Sequence, residues 1–549
     1  MNELAEPRLG SPVSVPTPEL STIRSANQRW LLLAVLVIAA LLSIYLAGRS
    51  GLRPDELFSL GLATGHSLEH PAAAANPSLG DFVEPDHAVP KEEFQHYLKH
   101  DSPPASPARV VRAVLLSDTN PPLYYVLLYG WTLFFGTSDM ALRSFSTVCS
   151  LACLPLLAMI ARRTAGTAAV PAVCVLFAFS PLTIYYSAEG RMYSLLWLWI
   201  LAATWVSLVM RQRGGGACLF ALWVLTSAAG LLTHYFFLFP WLAIVGYLVI
   251  RPAKLKRRQL VLGVLATALL ILPWYVKLPE SLAGWRITKD WLKSRPLHSS
   301  LLVVLRDNLF QFFSGHERHL WEGCRISSIV AFMLFAAVAA LALWRTRLRL
   351  LSRDRLLLAL VFAAACAGPF AFDVLQHTYT IAWPRYVISA LPAAYLLAAA
   401  ALACLRPRTR IIMLSLIVLA WIPNLVVMNQ DPSHWNSIRE ISRAVSANSH
   451  PSDLILVHSI PSGVLGVARY SNGSAAMASW IGQLGNRRVP DSIQQLAAGR
   501  KRILFVKLHE VGEPAPEEDW LRANATIFSE RHWESAEAVD FRPRDSVAF

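Results

Sequence analysis

The chain has 549 residues, 54% of them hydrophobic and only 16% charged, with a mean hydropathy of +0.42. That balance excludes an ordinary soluble domain and describes a membrane protein with soluble parts. The net charge of +14 is not a nucleic-acid footprint, because Lys and Arg sit in short blocks between apolar runs, as the positive-inside rule produces.

In chain order, residues 1–28 are rich in Pro, Ser and Glu and read as a disordered cytoplasmic tail. The run from Trp30 to Ala47 is long enough to span, and no small-residue cleavage site follows it in a helix-ending context. It reads as a retained anchor rather than a removed signal peptide. Further runs of spanning length fall near 141–161, 165–184, 191–210, 217–233, 235–250, 260–278, 327–344, 356–373, 386–404 and 411–428. One more, 121–136, is short and aromatic. The basic blocks Arg24/Arg29, Arg162/Arg163, Arg211/Arg213, Arg251 to Arg258, Arg345 to Arg355 and Arg406/Arg408/Arg410 decide whether it crosses. If it does not, all of them share one side with the N-terminus. The rule therefore favours eleven crossings, with 121–136 lying along the outer interface.

On this topology the segments 48–140, 279–326, 374–385 and 429–549 face outward. Arg outnumbers Lys and Ala and Leu abound, a composition typical of GC-rich bacterial genomes, so outward means the periplasm. Within 48–140, residues 70–90 read as irregular, 91–100 as a short helix and 108–116 as an amphipathic interfacial helix. The part from 429 onward has mixed charge, β-like runs at 453–459 and 502–508, and helical stretches between them. It reads as a small periplasmic α/β domain. The cysteines show neither metal spacing nor a disulfide framework.

The chemistry-bearing residues gather at the outer ends of the spans. Asp55 and Glu56 follow the first span in RPDELFSL, where acids suit either a helix start or catalysis at the membrane surface. Glu189, Arg191 and Tyr193 occupy the turn YYSAEGRMYS, and His234 and Tyr235 the turn THYFF. Each is open to a solvated or interfacial-anchor reading as well as to a pocket-lining one. Arg385 and Tyr386 stand in WPRY, where an outward Arg at this depth needs a partner and a lipid phosphate suits it. Arg53, beside Asp55, is a second such cation. The segment HSLEH (66–70) fits a zinc-protease pattern, but Pro71 follows at once and the match reads as chance.

These pieces together resemble the GT-C glycosyltransferases, in particular the bacterial branch similar to protein O-mannosyltransferases and lipid A aminoarabinose transferase. The matching stretches are DELFS, 120–146, 180–195, THYFFLF and WPRYVISALP, spread over residues 30–405. The resemblance implies an all-α, GT-C-like polytopic fold of about eleven transmembrane helices with interfacial helices, spanning residues 29–428, followed by the C-terminal α/β domain. It implies transfer of a sugar from a polyprenyl-phosphate donor to a glycolipid, polysaccharide or protein acceptor at the periplasmic face of the inner membrane, with inversion. Asp55 falls on the position of the base, and Glu56 supports it or contacts the acceptor. Arg53, Glu189, Arg191, Tyr193, His234, Tyr235, Arg385 and Tyr386 are then the substrate-binding set. Cations suffice to neutralise a monophosphate, so no cofactor is required; a divalent metal is compatible but not implied. The competing classes are a transporter or flippase for lipid-linked glycans and an envelope scaffold. The span interiors are almost free of charge, which favours interfacial chemistry over alternating access.

Overall fold

The structure, a computed structural model, describes residues 18–70, 75–118, 120–280, 300–315, 324–346, 354–430, 438–508, 514–533 and 536–544. Parts of the expected tail (1–28) and of the expected loop 279–326 lie outside these residues. Within them, helix α1 already begins at Pro18 (Pro18–Arg49), so 18–28 is helical rather than irregular.

Between the first two spans run α2 (Pro54–Ala63), α3 (Glu92–Gln95), α4 (Pro107–Ser117) and α5 (Leu123–Phe135). Helices α3 and α4 match the expected short and amphipathic helices. Residues 66–70 form no helix, so HSLEH cannot present both His on one helical face.

Among the described residues, seven helices are long and apolar enough to cross a membrane: Trp30–Arg49, Asp139–Ala165, Tyr193–Arg213, Arg257–Glu280, Arg325–Thr346, Asp354–Gln376 and Pro407–Met428. Such segments satisfy their backbone groups internally, which lipid requires. An eighth forms if Thr167–Phe179 and Pro181–Ser187 count as one span bent by 61°. The other apolar runs expected to cross are the shorter helices Ala217–Leu231, Tyr235–Ile250 and Ile388–Ala403. The difference from eleven has a local cause, because hydropathy does not register where a helix stops. At Ser180 the chain leaves the helix Val170–Phe179 with extended backbone, Pro181 lacks an N–H, and the Ser180 side chain caps the helix Pro181–Ser187 at Thr183. Around 380–390 the apolar run is spent in three short 3-10 turns before the helix Leu391–Ala403 begins.

The C-terminal part is an α/β unit. Its five-stranded sheet has the order β2-β1-β3-β5-β4, with β1 (Asp453–His458), β2 (Ala476–Trp480), β3 (Arg502–Leu508), β4 (Ala525–Trp533) and β5 (Ala536–Pro543). Strands β1, β2 and β3 are parallel; β5 and β4 add an antiparallel hairpin. Alternation assigns the two faces. Leu454, Leu456, Ile503 and Phe505 make a core with Ile493 and Leu496. Ile455, Val457, Leu504 and Val506 join Val464 and Leu465 in a core continuous with that of the membrane helices.

That second face sits on the segment between the first two spans. Val89 and Met477 exchange two backbone hydrogen bonds of 2.8 Å. Lys91 donates to the carbonyls of Ser471 and Gly473, and the Ile481 amide donates to Glu84 at 3.0 Å. The helix Pro461–Tyr470 runs so close to α2 that a Cβ on Gly466 would lie 2.7 Å from Leu57.

Glycine contacts give a direct test of the helix packing. A Cβ on Gly368, in Asp354–Gln376, would lie 2.1 Å from the Phe239 ring, whereas one on Gly246 would meet nothing within 4 Å. Gly368→Ala is expected to destabilise the purified protein by about 1–3 kcal/mol. Gly246→Ala is expected to stay within about 0.5 kcal/mol of wild type. Thermal melting in detergent reads both.

Candidate functional site

The site begins at the first turn of α2. Arg53 is its N-cap in extended backbone, Pro54 supplies the preset φ of the first helical position, and Asp55 and Glu56 complete the acidic first turn. Glu56 folds back so that Oε2 accepts the Arg53 amide at 2.9 Å. Its oxygens also accept Arg143 Nε (2.7 Å), Arg143 Nη2 (2.6 Å) and the Gly190 amide (2.7 Å). The remaining Arg143 donors reach the carbonyls of Ala47, Ser50 and Gly51, each at 2.8 Å. The Glu56 side chain is 1% exposed and that of Arg143 3%. A Cβ on Gly190 would lie 2.6 Å from Leu142, so the close approach of this turn to Glu56 needs a glycine.

Asp55 points the other way. Its side chain is 42% exposed, and Oδ2 accepts Arg385 Nη1 at 2.6 Å. Arg385 lies beside the rings of Trp383 and Tyr386, at 5.4 and 5.5 Å. The partner that an outward arginine required is therefore Asp55. Arg191 approaches the same turn: Nη1 donates to the Asp55 carbonyl (3.2 Å), to Ser59 Oγ (2.9 Å) and to the Tyr125 hydroxyl (3.5 Å). Tyr125 in turn donates to Asp118. Arg53 Nη1 is 3.9 Å from Glu189 Oε1, and its guanidinium lies 4.6 Å from the Tyr185 ring. Arg191 Nε and Glu189 Oε2 are buried without a hydrogen-bond partner among the described residues.

His234 closes the far wall, its ring 6.4 Å from Tyr193 and 6.3 Å from Tyr386, with Nδ1 accepting the Phe236 amide. The structure thus gathers Asp55, Arg53, Glu189, Arg191, Tyr193, His234, Arg385 and Tyr386 into one cluster. Tyr235 turns aside: its hydroxyl accepts Trp274 Nε1 at 3.2 Å and its ring sits against Tyr275. Glu56 is enclosed beneath the site. Arg143, Ser59, Tyr125 and Asp118 belong to the constellation and were missed as members of it. For Arg143 a signal existed, since it is an arginine placed inside an apolar run. Among the described residues, the grouping of His and carboxylates close enough to share an ion is Glu530, His532 and Glu537 in the C-terminal hairpin. There Arg522 already bonds both Glu530 and Glu537 at 2.7 Å.

Burial sets the protonation of this cluster. Burial raises the Glu56 carboxyl, but the Arg143 charge and hydrogen bonds, with Arg53, hold it below the ordinary value. Glu189 is pushed up to about 7 by burial and by Glu56 and Asp55, against the pull of Arg53 and Arg191. Glu69 is pushed up to about 8 by burial, Asp118 and Asp55. His234 is lowered to about 3 by burial, Arg191 and Arg385, and stays neutral. For Glu189 and Glu69 the folded pKa exceeds the unfolded one, so their contribution is full below 4.5 and is lost as pH rises through 7 and 8. For His234 the loss comes as pH falls below 6.5 toward 3. The melting temperature is expected to fall as pH rises between about 4.5 and 8, and Glu189→Gln and Glu69→Gln should each flatten that fall.

With this geometry in view, residues 119–276 match the family model of dolichyl-phosphate-mannose-protein mannosyltransferase. No curated protein matches the chain. Among solved structures, ArnT from Cupriavidus metallidurans bound to undecaprenyl phosphate is 14% identical, covers 94% of this chain and 98% of its own, and has a TM-score of 0.58. The apo form of the same protein is 13% identical over the same shares, with a TM-score of 0.59. The similarity extends over the membrane helices and the C-terminal domain alike, and the chain has the GT-C fold of the membrane glycosyltransferases it resembles.

Proposed function

We propose that the protein transfers a sugar from a polyprenyl-phosphate donor to a hydroxyl or amine acceptor on a glycolipid, polysaccharide or protein, at the periplasmic face of a bacterial inner membrane. The observation that carries this reading is the Asp55–Arg385 pair, a half-exposed carboxylate held at 2.6 Å by an arginine flanked by aromatic rings. The arriving donor phosphate competes for Arg385, with Arg191 and Arg53 close by to share its charge. Asp55 is released from the pair as the phosphate takes its place. Its carboxylate then accepts the acceptor proton while the acceptor oxygen or nitrogen attacks the anomeric carbon. The bond to the phosphate oxygen breaks on the opposite face, so configuration inverts, and the leaving phosphate keeps its electron pair on the arginines. Glu189, Tyr193, His234 and Tyr386 are the side chains that would contact the sugar, and the buried, unpartnered Glu189 Oε2 and Arg191 Nε supply free hydrogen-bonding capacity within the cluster. Glu56 holds the turn that carries Asp55 and takes no proton. The undecaprenyl phosphate found with ArnT supports a polyprenyl phosphate as the donor lipid here.

Mass spectrometry of envelope glycolipids, glycans and glycoproteins tests this, in wild type, a deletion strain and the deletion complemented with Asp55→Asn. A single sugar mass is expected to vanish in the deletion and in the Asp55→Asn strain. Wild-type products from Asp55→Asn with precursor accumulating in the deletion would move the transporter reading to the front; the bent pair Thr167–Ser187 is the feature that reading would use. The orientation has its own test. Cysteines placed at the exposed Ser102 and Ser138 should both react with an impermeant thiol reagent added from the periplasmic side, and labelling from opposite sides would overturn it.

A further inference from the structure

We infer that Tyr470 of the C-terminal domain is a positioning residue for Asp55; this rests on the transfer reading above. Tyr470 is 8% exposed and its hydroxyl is shared between two places. It accepts the Leu52 amide at 2.7 Å, two residues before the helix that carries Asp55. It donates to Asp139 Oδ2 at 2.6 Å, at the first residue of the span Asp139–Ala165. One turn further along that span, Arg143 grips Glu56. Leu52 to Glu56 is itself about one turn of chain. The result is a closed ring of five corners: Leu52, Tyr470, Asp139, Arg143 and Glu56.

Asp55 lies on the short arc between two corners of this ring. The Glu56–Arg143 corner fixes one end of the arc, and Tyr470 fixes the other. Leu52 is fully buried, so its amide finds no water if the phenol is removed. Without Tyr470 the Leu52 amide is released, and the stretch from Leu52 to Asp55 is held through guanidinium bonds, from Arg143 to the Ser50 and Gly51 carbonyls and to Glu56 and from Arg191 to the Asp55 carbonyl; it pivots about them. That motion changes the approach of Asp55 to Arg385 and carries Arg53 with it, while Arg385 and Arg191, which stand on other elements, stay in place to hold the donor. The neighbouring Gly51 leaves no slack to compensate, since a Cβ there would lie 2.5 Å from Arg439 and 3.3 Å from the Tyr470 ring.

The effect is separable from simple attachment of the domain, because the domain is also held at Val89, Lys91 and Glu84. Full-length wild type, Tyr470→Phe and Arg487→Ala are compared in detergent. Arg487 donates to the Asp86 carbonyl at 3.2 Å, away from the ring, and serves as the attachment control. Hydrogen–deuterium exchange of amides 52–59 is expected to rise about tenfold in Tyr470→Phe, with β1 amides 454–457 unchanged. The rate of transfer at saturating undecaprenyl-phosphate sugar should fall about tenfold, with its half-saturating concentration within about twofold of wild type. Arg487→Ala should leave both within about twofold. Wild-type exchange at 52–59 in Tyr470→Phe, or equal loosening of β1, overturns the inference. So does a Tyr470→Phe loss confined to donor affinity. Exchange needs no substrate, so a wild-type protein that loosens as expected on substitution but transfers no sugar would instead overturn the transfer reading, and with it any role for Tyr470 in catalysis.

Discussion

The fold around the site depends on one buried ion pair, Glu56 with Arg143. Neither side chain is in contact with water to any useful extent, and each is saturated. A pair so enclosed is tolerable only because every lone pair and every N–H has a partner. The arginine spends three bonds on the carbonyls of Ala47, Ser50 and Gly51, where the first span ends and would otherwise leave acceptors without donors. The carboxylate spends one on the Gly190 amide, which ties in the turn carrying Glu189 and Arg191. Removing either charge would leave the other buried and unpaired, at a cost of about 3–5 kcal/mol. One pair thus sets the exit of the first span, the start of the next and a turn more than a hundred residues away.

The adjacency of Asp55 and Glu56 follows from the same geometry. Successive residues on a helix point about 100° apart, so one acid faces inward to be consumed by structure and the other faces Arg385. The inward acid cannot take up a proton readily, because its charge is what Arg143 requires. The outward acid is held by Arg385 through a bond that a competing anion can take over. Two carboxylates of the same turn are given different chemistry by burial and partners alone.

Much of this site was legible in the sequence. Asp55, Arg191, Arg385 and His234 declare themselves because charge or imidazole at the end of an apolar run is rare. What was not legible depended on distance along the chain. Arg143 and Glu56 are 87 residues apart, and Tyr470 and Leu52 are 418 apart; no local pattern pairs them. Tyr235 looked equivalent to His234 until helix packing turned it toward Trp274. The strands show the same limit. β1 and β3 are apolar runs and were expected, whereas β4 is an edge strand exposed over most of its length, and its sequence TIFSERHW carries no one-sided alternation. Helix ends at Ser180 and near 380–390 were lost because apolar residues continue through the turns.

The core shared between the C-terminal sheet and the segment after the first span has a consequence for how the protein is made. Leu52, Glu84 and Lys91 are synthesised early, yet their partners Tyr470, Ile481 and Ser471 lie 418, 397 and 380 residues later. Every intervening span must be inserted before the two halves can meet. Contacts of such separation form late and slowly, and the early segment waits with apolar surface uncovered. A nascent or prematurely ended chain would therefore sit in the bilayer with its lipid-facing helices in place and its first extramembrane segment unfinished. Such a chain is a natural target for quality-control proteases. Synthesis of the C-terminal sheet domain becomes the event that completes the first extramembrane segment.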